Sequence, residues 1–569
     1  MAVAETSRSC GKSSASGATR RTRSQRTHCP QPVELQASNR PVAPVSIAQA
    51  AINSIANSLF LGNFTSDDQQ FRALMDAGVT FAQTFNLRPG IALTAEQIAR
   101  LTSDIVWLQQ ETVTLPGVDG KPGTQTVALV PQIYLKPRSG DLSPSGGLIS
   151  GATVNINTAD LTNSGTILGR KLVQINADTI NNLGGSVRAD AVALTAAQDI
   201  NNTGGSITAK DVLSLQAGRD INNTSTQATA RTGDARNGIT NTTVDRVAGL
   251  YVTADNGVLQ MSAGRDLNLI ASQIKNSGAN SQTILSTKND INLGTLAARQ
   301  TNNLEFDAGN FRRATSTAEA GSTIDTPGSV SLSAGNDVNA RAAQVTAGKT
   351  LDVAAGNNII LQAGQATTNV NQMASAKGQD LFFTSSIETR RQSSSATALV
   401  SSFTGQSTNL VAQNNLVSIG AKLGATGVDT GTGTLRVEGK NTTALYEVQN
   451  FSQVTQTTKT SASFHPGFDP LGIEIPLEDK TVTDQRATST AIGTRLTSTQ
   501  KIEVGVGNKT ELRGTEVEAP QIAFVKTDPN KTGELILGGS TNTTQSSHTE
   551  KTEYAGLYRC GRRPCTHAV

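Results

Sequence analysis

The chain has 569 residues, a net charge of +3 at pH 7, 16% charged side chains and 4% aromatic side chains. This near-neutral, aromatic-poor composition argues against a nucleic-acid-binding protein, which needs clustered basic side chains beside base-stacking rings. Apolar residues make up 36%, and 52 glycines accompany them, so the chain can bury a core and is not of disordered composition.

The first forty residues predict a disordered basic tail. Arg20, Arg21, Arg23 and Arg26 lie among serines, threonines and glycines without aromatic neighbours, which is typical of a solvated tail. The stretch has no apolar segment of the signal-peptide kind, and no run of 18 apolar residues follows anywhere. We therefore expect neither an export signal nor a membrane span in this sequence.

Two capping boxes predict helices in the next segment. The first, at 66–69, opens a short helix that Gly78 is expected to end. The second, at 94–97, precedes apolar residues at helical spacing, of which Leu101 and Ile105 are two. Both helices would be short and amphipathic.

The period then changes to two, as in strands. Residues 111–115 and 124–135 alternate in this way, and a loop rich in proline and glycine, 116–123, joins them. We predict that 41–146 forms a small α+β segment ahead of the rest of the chain.

From Gly147 the chain repeats a short phrase. Its copies are Asp199–Asn202, Asp220–Asn223, Asp266–Asn268, Asp290–Asn292, Asp337–Asn339 and, degenerately, Asn357–Ile359. Successive steps, the last counted to Asn358, are 21, 46, 24, 47 and 21 residues, which are single or double multiples of roughly 20–24 and indicate a solenoid. We interpret the two long steps as two coils each.

Each coil is predicted to consist of short strands separated by corners. Alternation directs aliphatic side chains inward and Ser, Thr, Lys and Arg outward. Asn-Asn and Gly-Gly are expected to supply the left-handed backbone of the corners, while the repeat aspartates cap them. Equivalent residues on stacked coils would form asparagine ladders and a continuous isoleucine core.

The repeat is most regular over 147–365. Residues 366–555 predict irregular coils with long insertions, and 556–569 predicts an unstructured tail. The expected fold class is all-β, a parallel β-helix with the small α+β segment ahead of it.

Several motifs could suggest chemistry, and each has a simpler explanation. Ala343–Thr350 resembles a phosphate-binding loop, but strand alternation follows it where that motif needs a helix. Cys560, Cys565 and His567 lack the paired short spacing of structural zinc sites. We predict no catalytic residue, no cofactor-binding residue and no metal ligand. A carbohydrate-active β-helix enzyme, with repeat aspartates as its acids, remains the alternative.

Three phrases and the segment ahead of them resemble a known family. Ala217–Asn223, Ala263–Asn268 and Leu161–Ile167 are similar to filamentous haemagglutinin repeats. Residues 93–134 are similar to the region just before the second haemagglutinin-repeat block of contact-dependent growth inhibition toxins and related two-partner-secreted adhesins. The resemblance covers about 85–555.

The resemblance implies a right-handed parallel β-helix, secreted or held at the bacterial outer cell surface. Its expected partners are an outer-membrane two-partner transporter and a target-cell receptor or glycan, with no nucleic acid. In that family the second repeat block is implicated in moving a toxin into the target cell. We expect a non-enzymatic stalk or adhesin fragment of such a protein, without the secretion domain or the toxin domain.

Overall fold

The computed structural model describes residues 67–85, 87–91, 93, 97, 100–101, 103, 105–115, 124–134, 147–429, 431–464, 475–560 and 563–568. All of them belong to one compact unit. The predicted basic tail, 1–40, lies outside the described residues, so that prediction is untested.

A helix, Asp67–Phe85, precedes two antiparallel strands, Ile105–Leu115 and Thr124–Tyr134. The helix does not end at Gly78 as the sequence predicts. A Cβ at Gly78 would lie 2.3 Å from the carbonyl oxygen of Val106, so this glycine allows the helix to pack closely on the first strand.

The second predicted helix does not extend to Ile105. That residue begins the first strand and is buried with Phe81, Leu101 and Trp107. The indole Nε1 of Trp107 donates a hydrogen bond of 2.7 Å to the carbonyl oxygen of Ile91. The apolar residues that suggested one face of a helix therefore form a small core between helix and strands.

From Leu148 the chain winds into a parallel β-helix with three faces. Face 3 consists of twelve parallel strands, and the repeated phrase lies at the third to the eighth of them. They are Asp160–Asn163, Thr179–Leu183, Ile200–Thr203, Ile221–Thr224, Leu267–Ile270, Ile291–Gly294, Val338–Arg341, Ile359–Gln362, Asn415–Ile419, Thr442–Tyr446, Lys509–Arg513 and Glu534–Gly538.

Faces 1 and 2 complete each coil. In the first four coils one long strand covers both: Leu148–Asn157, Thr166–Ala177, Ser186–Ala196 and Ser206–Ala217. Face 1 then continues with Gly249–Val252, Gln273–Asn276, Thr323–Thr326, Gln344–Ala347, Ser401–Gly405, Ala421–Ala425, Arg495–Ser498 and Glu516–Glu518. Face 2 continues with Val258–Ala263, Gln282–Thr287, Ser329–Ala334, Thr350–Ala355, Ser407–Ala412, Thr434–Gly439, Lys501–Val506 and Gln521–Lys526.

Five hairpins, numbered here 1 to 5 in chain order, leave the helix between face 3 and face 1. They are Gln227–Gly233 with Gly238–Val244, Leu296–Asp307 with Asn310–Ala320, Gly364–Gln379 with Phe383–Leu399, Val448–Phe464 with Ile475–Ile492, and Thr543–Cys560 with Arg563–Ala568. Together they form one ten-stranded antiparallel sheet, the hairpin sheet. Residues 556–569, predicted to be unstructured, thus include paired strands over 556–560 and 563–568.

The spacing of the hairpins explains why they pair with one another. From hairpin 1 onward every second coil extrudes a hairpin, and the coils between close the same corner with one or two residues. Ala271, Ala342, Gly420 and Gly514 take left-handed φ angles of 48°, 49°, 63° and 56° at those short corners. A hairpin is two strands wide, about 10 Å, and two coils rise by the same distance. Successive hairpins are therefore positioned to join edge to edge.

This arrangement corrects the interpretation of the long repeat steps. Ile221 pairs directly with Leu267, and Ile291 pairs directly with Val338. The steps of 46 and 47 residues are each one coil that contains a hairpin, and not two coils.

The predicted isoleucine core and asparagine ladders are both present. The core column on face 3 is at most 2% exposed at each of Ile180, Ile200, Ile221, Leu267, Ile291, Val338, Ile359 and Leu416. On the same face, Asn182 donates to Asn202 at 2.7 Å and Asn202 donates to Asn223 at 2.6 Å. These bonds satisfy buried amides and fix the register of one coil on the next.

The prediction that Asn-Asn supplies the left-handed corners is wrong. The asparagines lie within the face 3 strands, and the positive φ falls just after them, at Gly184 (68°) and Gly204 (59°). A paired asparagine ladder needs extended backbone, because only stacked strands place equivalent amides within bonding distance.

No helix in the described part of the chain has the length and hydrophobicity needed to cross a membrane.

Candidate functional site

The repeat aspartates join neighbouring coils. The carboxylate of Asp199 accepts the backbone N–H of Asp220 at 3.1 Å, and that of Asp266 accepts the N–H of Asp290 at 3.2 Å. Asp290 accepts the N–H of Asp337 at 3.0 Å in the same way. The predicted corner caps are therefore present, but each bonds to the next coil and not to its own turn.

Asp199, the first carboxylate of this column, does not have the raised pKa of a catalytic acid. Arg219 donates hydrogen bonds to Asp199, and this contact, as the largest influence, lowers the pKa of the Asp199 carboxyl. A general acid near neutral pH needs a raised carboxyl pKa. Arg265 forms the equivalent ion pair with Asp220. These carboxylates are occupied in holding coils together.

The phosphate-loop-like phrase and the terminal cysteines and histidine lie in or directly beside strands. Lys349 and Thr350 of the phosphate-loop-like phrase lead into the strand Thr350–Ala355, so no helix N-terminus is available for a phosphate. Cys560, Cys565 and His567 belong to hairpin 5, but their side chains are outside the described residues. The prediction that they hold no metal ion is therefore untested.

The hairpin sheet is the structural feature that sequence reasoning missed. Its third and fourth hairpins are long, with strands of 16 to 18 residues. Strand alternation gives the sheet two faces, and both are dominated by Ser, Thr, Asn, Gln and charged side chains. A sheet that buries neither face in the protein presents a large area for contact with other molecules.

One face of this sheet contains a groove of about 410 Å³. We define the groove face by four rows of directly opposed residues on hairpins 2, 3 and 4. They are Thr317, Thr367, Ala396 and Phe451; Thr315, Asn369, Ser394 and Gln453; Arg313, Asn371, Gln392 and Thr455; and Phe311, Met373, Arg390 and Thr457. The two middle rows form the centre of the groove.

Nearer the hairpin tips the same sheet carries charged residues of both signs. A second hollow, of about 430 Å³, is lined by Glu388, Lys459, Asp479, Lys551 and Glu553 among others. Lys551 pairs with Glu553, so acids and bases largely compensate each other there. This region offers hydrogen-bonding groups without a strong net electrostatic field.

The hairpin tips expose large apolar side chains in a chain that has few aromatic residues. Phe306 on hairpin 2 is 89% exposed, and Leu381 on hairpin 3 is 80% exposed. Phe382 and Phe383 are also exposed, and the ring of Phe383 lies 5.5 Å from that of Phe464 on hairpin 4. Exposed apolar clusters of this kind mark interaction surfaces.

An ion pair fixes the base of the hairpin sheet to the β-helix. Arg341 on face 3 donates two hydrogen bonds of 2.6 Å to the Glu319 carboxylate on hairpin 2. Thr295 donates a third, at 3.0 Å. The bonds from Arg341 are the main reason that the pKa of Glu319 lies below its usual value. The bidentate geometry sets the orientation of the hairpin as it leaves the helix.

Fold and surface together define a parallel β-helix that carries a sheet of extruded hairpins. The sequence model described as "Hemagglutinin repeat" matches residues 235–375 and 308–455. No solved structure matches the chain.

Curated relatives match larger parts of the chain. The "tRNA nuclease CdiA-2" of Burkholderia pseudomallei is 26% identical over 90% of this chain and 15% of its own length. The "16S rRNA endonuclease CdiA" of Enterobacter cloacae is 28% identical over 39% of this chain and 6% of its own length. "Toxin CdiA" of Yersinia pestis is 38% identical over 16% of this chain and 3% of its own length. The chain thus spans about a seventh or less of these relatives.

These matches support the family of filamentous haemagglutinins and contact-dependent growth inhibition toxins, to which the sequence showed a resemblance.

Proposed function

We propose that the chain is a haemagglutinin-repeat stalk section of a large secreted bacterial surface protein, and that its hairpin sheet contacts the target cell. The exposed tips of hairpins 2 and 3 are the observation that carries this proposal. The β-helix would supply a rigid support, since its polar ladders and aliphatic core are internal. The hairpins present exposed apolar side chains at their tips and polar side chains along one continuous sheet.

The family supplies the setting of the proposal. Full-length members would be exported by an outer-membrane two-partner transporter and would act outside the cell, against a receptor or glycan of the target cell. The relatives carry names of toxins and nucleases. A section that contacts the target cell would support delivery of such a toxin without taking part in its chemistry.

Binding to whole cells tests the contact role. We expect the purified, fluorescently labelled chain to bind bacterial or epithelial cells, as measured by flow cytometry. The combined change Phe306→Ser, Leu381→Ser and Phe382→Ser removes three apolar side chains from the tips of hairpins 2 and 3. Their apolar contacts with the cell surface would be lost, so binding should weaken about tenfold or more. These residues are exposed, so the fold should be unaffected.

The matched control changes exposed apolar residues of the β-helix that lie away from the tips. Leu183→Ser, Val247→Ser and Val428→Ser alter side chains that are 47%, 47% and 78% exposed. The control should bind as the unchanged chain does. Absence of binding to any cell by the intact chain, or an equal loss in the control, would refute the contact role.

A turnover assay addresses the enzyme alternative. The chain is incubated with acidic and neutral polysaccharides and with tRNA, and new reducing ends or cleaved RNA are measured. The proposal expects no turnover. Activity that Asp266→Asn removes would support an enzyme whose acid lies in the aspartate column.

A further inference from the structure

We infer that the β-helix docks end to end with a second copy of the chain, the last coil of one copy against the first coil of the next. The last coil consists of Glu516–Glu518, Gln521–Lys526 and Glu534–Gly538, and the first coil of Leu148–Asn157 and Asp160–Asn163. This association is separate from the proposed contact with a target cell, because it uses the ends of the β-helix and not the hairpin tips.

The inward-facing side chains of the last coil are uncovered. They are 38–67% exposed at Ile522, Phe524, Leu535 and Leu537. Their column partners one coil earlier are at most 4% exposed: Ile502, Val504, Thr510 and Leu512. Each coil of a solenoid buries its core only against its neighbours, so the apolar cross-section of the β-helix is open at this end.

Hairpin 5 follows the last coil in the chain and leaves this end open. Its first strand, Thr543–Cys560, pairs with the second strand of hairpin 4, Ile475–Ile492, and so extends the hairpin sheet. In the part of the chain that the structure describes, each of the three strands of the last coil has one edge without a partner strand. Free strand edges of this kind pair with strands of another chain.

The first coil is open in the same way at the opposite end. Ile149 is 50% exposed, whereas its column partner Ile167 is 2% exposed. Ile156 and Leu161 pack against the core but are only partly buried. Because all coils run in the same direction, the free edges of the first coil match those of the last, and a second copy can continue the parallel pairing.

The columns of paired residues define how the two ends would meet. When each column is followed from the last coil back to the first, four apolar pairs result: Val517 with Ile149, Ile522 with Val154, Phe524 with Ile156, and Leu535 with Leu161. Burial of apolar side chains is the main favourable term in such an association.

One like-charged pair arises in this register, Glu534 with Asp160. The β-helix already stacks acids in that column, since the Asp266 carboxylate accepts the backbone N–H of Asp290 at 3.2 Å. The strand edges and the apolar columns therefore favour docking, and a single rim pair opposes it.

A second copy fits the open end better than a partner of another shape. The partner must present strands on three sides around an apolar centre, at the spacing of one coil, and the first coil of this chain does so. Two last coils could not meet in the same register, because their strands would run antiparallel. Docking of unlike ends leaves each assembly with one free end of each kind, so it produces linear chains of copies.

The test uses the full chain and two variants that each block one end. Leu537→Lys places a charge on the last coil, and Ile149→Lys places one on the first coil. Val247→Lys is the matched control, because Val247 is 47% exposed and precedes the strand Gly249–Val252 in the middle of the β-helix. All three residues are exposed in the single chain, so the fold should persist, which circular dichroism verifies. Sedimentation under reducing conditions measures the mass over a series of concentrations.

We expect the unchanged chain and the control to grow in mass with concentration, and each end variant to associate about tenfold or more weakly. An equimolar mixture of the two end variants should associate again but stop at dimers, because the free last coil of one docks on the free first coil of the other. The mass of a single chain at every concentration, association retained by both variants, or a mixture that forms no dimers would overturn the inference. Cell binding through the tips is unaffected in each case, so the proposed function is tested separately.

Discussion

Replacing Asn202 by alanine is expected to lower the free energy of unfolding by about 2–5 kcal/mol. Asn202 is 2% exposed and donates to both Asn223, at 2.6 Å, and the Gly205 carbonyl, at 3.0 Å. It also accepts from Asn182 at 2.7 Å. Alanine removes one hydrogen bond from each of these buried groups, and a buried group left unsatisfied costs about 1–3 kcal/mol.

Its neighbour Asn201 provides the control for this prediction. Asn201 bonds to Asn181 and Asn222 at 2.8 Å each, but it lies on the outer, half-buried side of the same strand. Water can replace these partners, so Asn201→Ala should cost about 1 kcal/mol or less. Urea unfolding followed by circular dichroism compares the two variants. Equal losses would contradict the account of the inner ladder as the element that fixes coil register.

Deleting residues 364–400 is expected to leave the β-helix folded and to divide the hairpin sheet. The deletion joins Ala363 to Ser401, which recreates the Ala-Ser corner that Ala271 and Ser272 form in a coil without a hairpin. Hairpins 2 and 4 would then be separated by a gap of about 10 Å, the width of a hairpin. They could no longer pair, and Asn369, Asn371 and Gln392 of the groove would be absent.

The measurements are circular dichroism for the β-helix and flow cytometry for cell binding. Strand content should fall only by the share of the deleted hairpin, while binding to cells should be lost. Deletion of residues 226–247 is the matched control, because it removes hairpin 1 from the sheet edge and joins Ser225 to Ala248. That variant should retain binding. Loss of the whole fold in both deletions would contradict the view that hairpins are additions to complete coils.

The coils could be predicted from the sequence because their pattern is set by burial. Ile200, Ile221 and Ile291 recur at one coil position since each fills the same cross-section of the core. Asn201 and Asn202 recur because a ladder requires an amide on every strand. A strict repeat of inward and outward residues is a local signal, and it survives without any knowledge of distant contacts.

The hairpins could not be predicted in the same way, because burial does not set the pattern of their residues. Gln227–Gly233 is exposed at every residue, so the alternation that reveals a half-buried strand is absent. A 46-residue step also fits two coils as well as one coil with a hairpin. A turn signal was present at 234–238, where Asp234 caps the backbone N–H groups of Arg236 and Asn237. It could have shown that the inserted residues double back.

The groove could not be predicted from local sequence. Thr315, Asn369 and Gln453 come from three hairpins, and only the pairing of those hairpins brings them together.

The role of Gly78 also depends on a contact that is distant in the sequence. Its lack of a side chain suggested a helix end, whereas the reason for it is the Val106 backbone of a strand nearly thirty residues later.

Disulfide trapping tests the central claim, that hairpins from alternate coils join into one sheet. Thr315 on hairpin 2 lies directly opposite Asn369 on hairpin 3. Opposed Cα atoms are about 4.5–5.5 Å apart, within the range that a disulfide bridges. Thr315→Cys with Asn369→Cys, in a chain whose four native cysteines are replaced by serine, should form an intramolecular disulfide that mass spectrometry detects. Thr315→Cys with Val370→Cys, whose side chains point to opposite faces, should not. No disulfide at 315–369, or equal trapping of both pairs, would contradict the structure of the hairpin sheet.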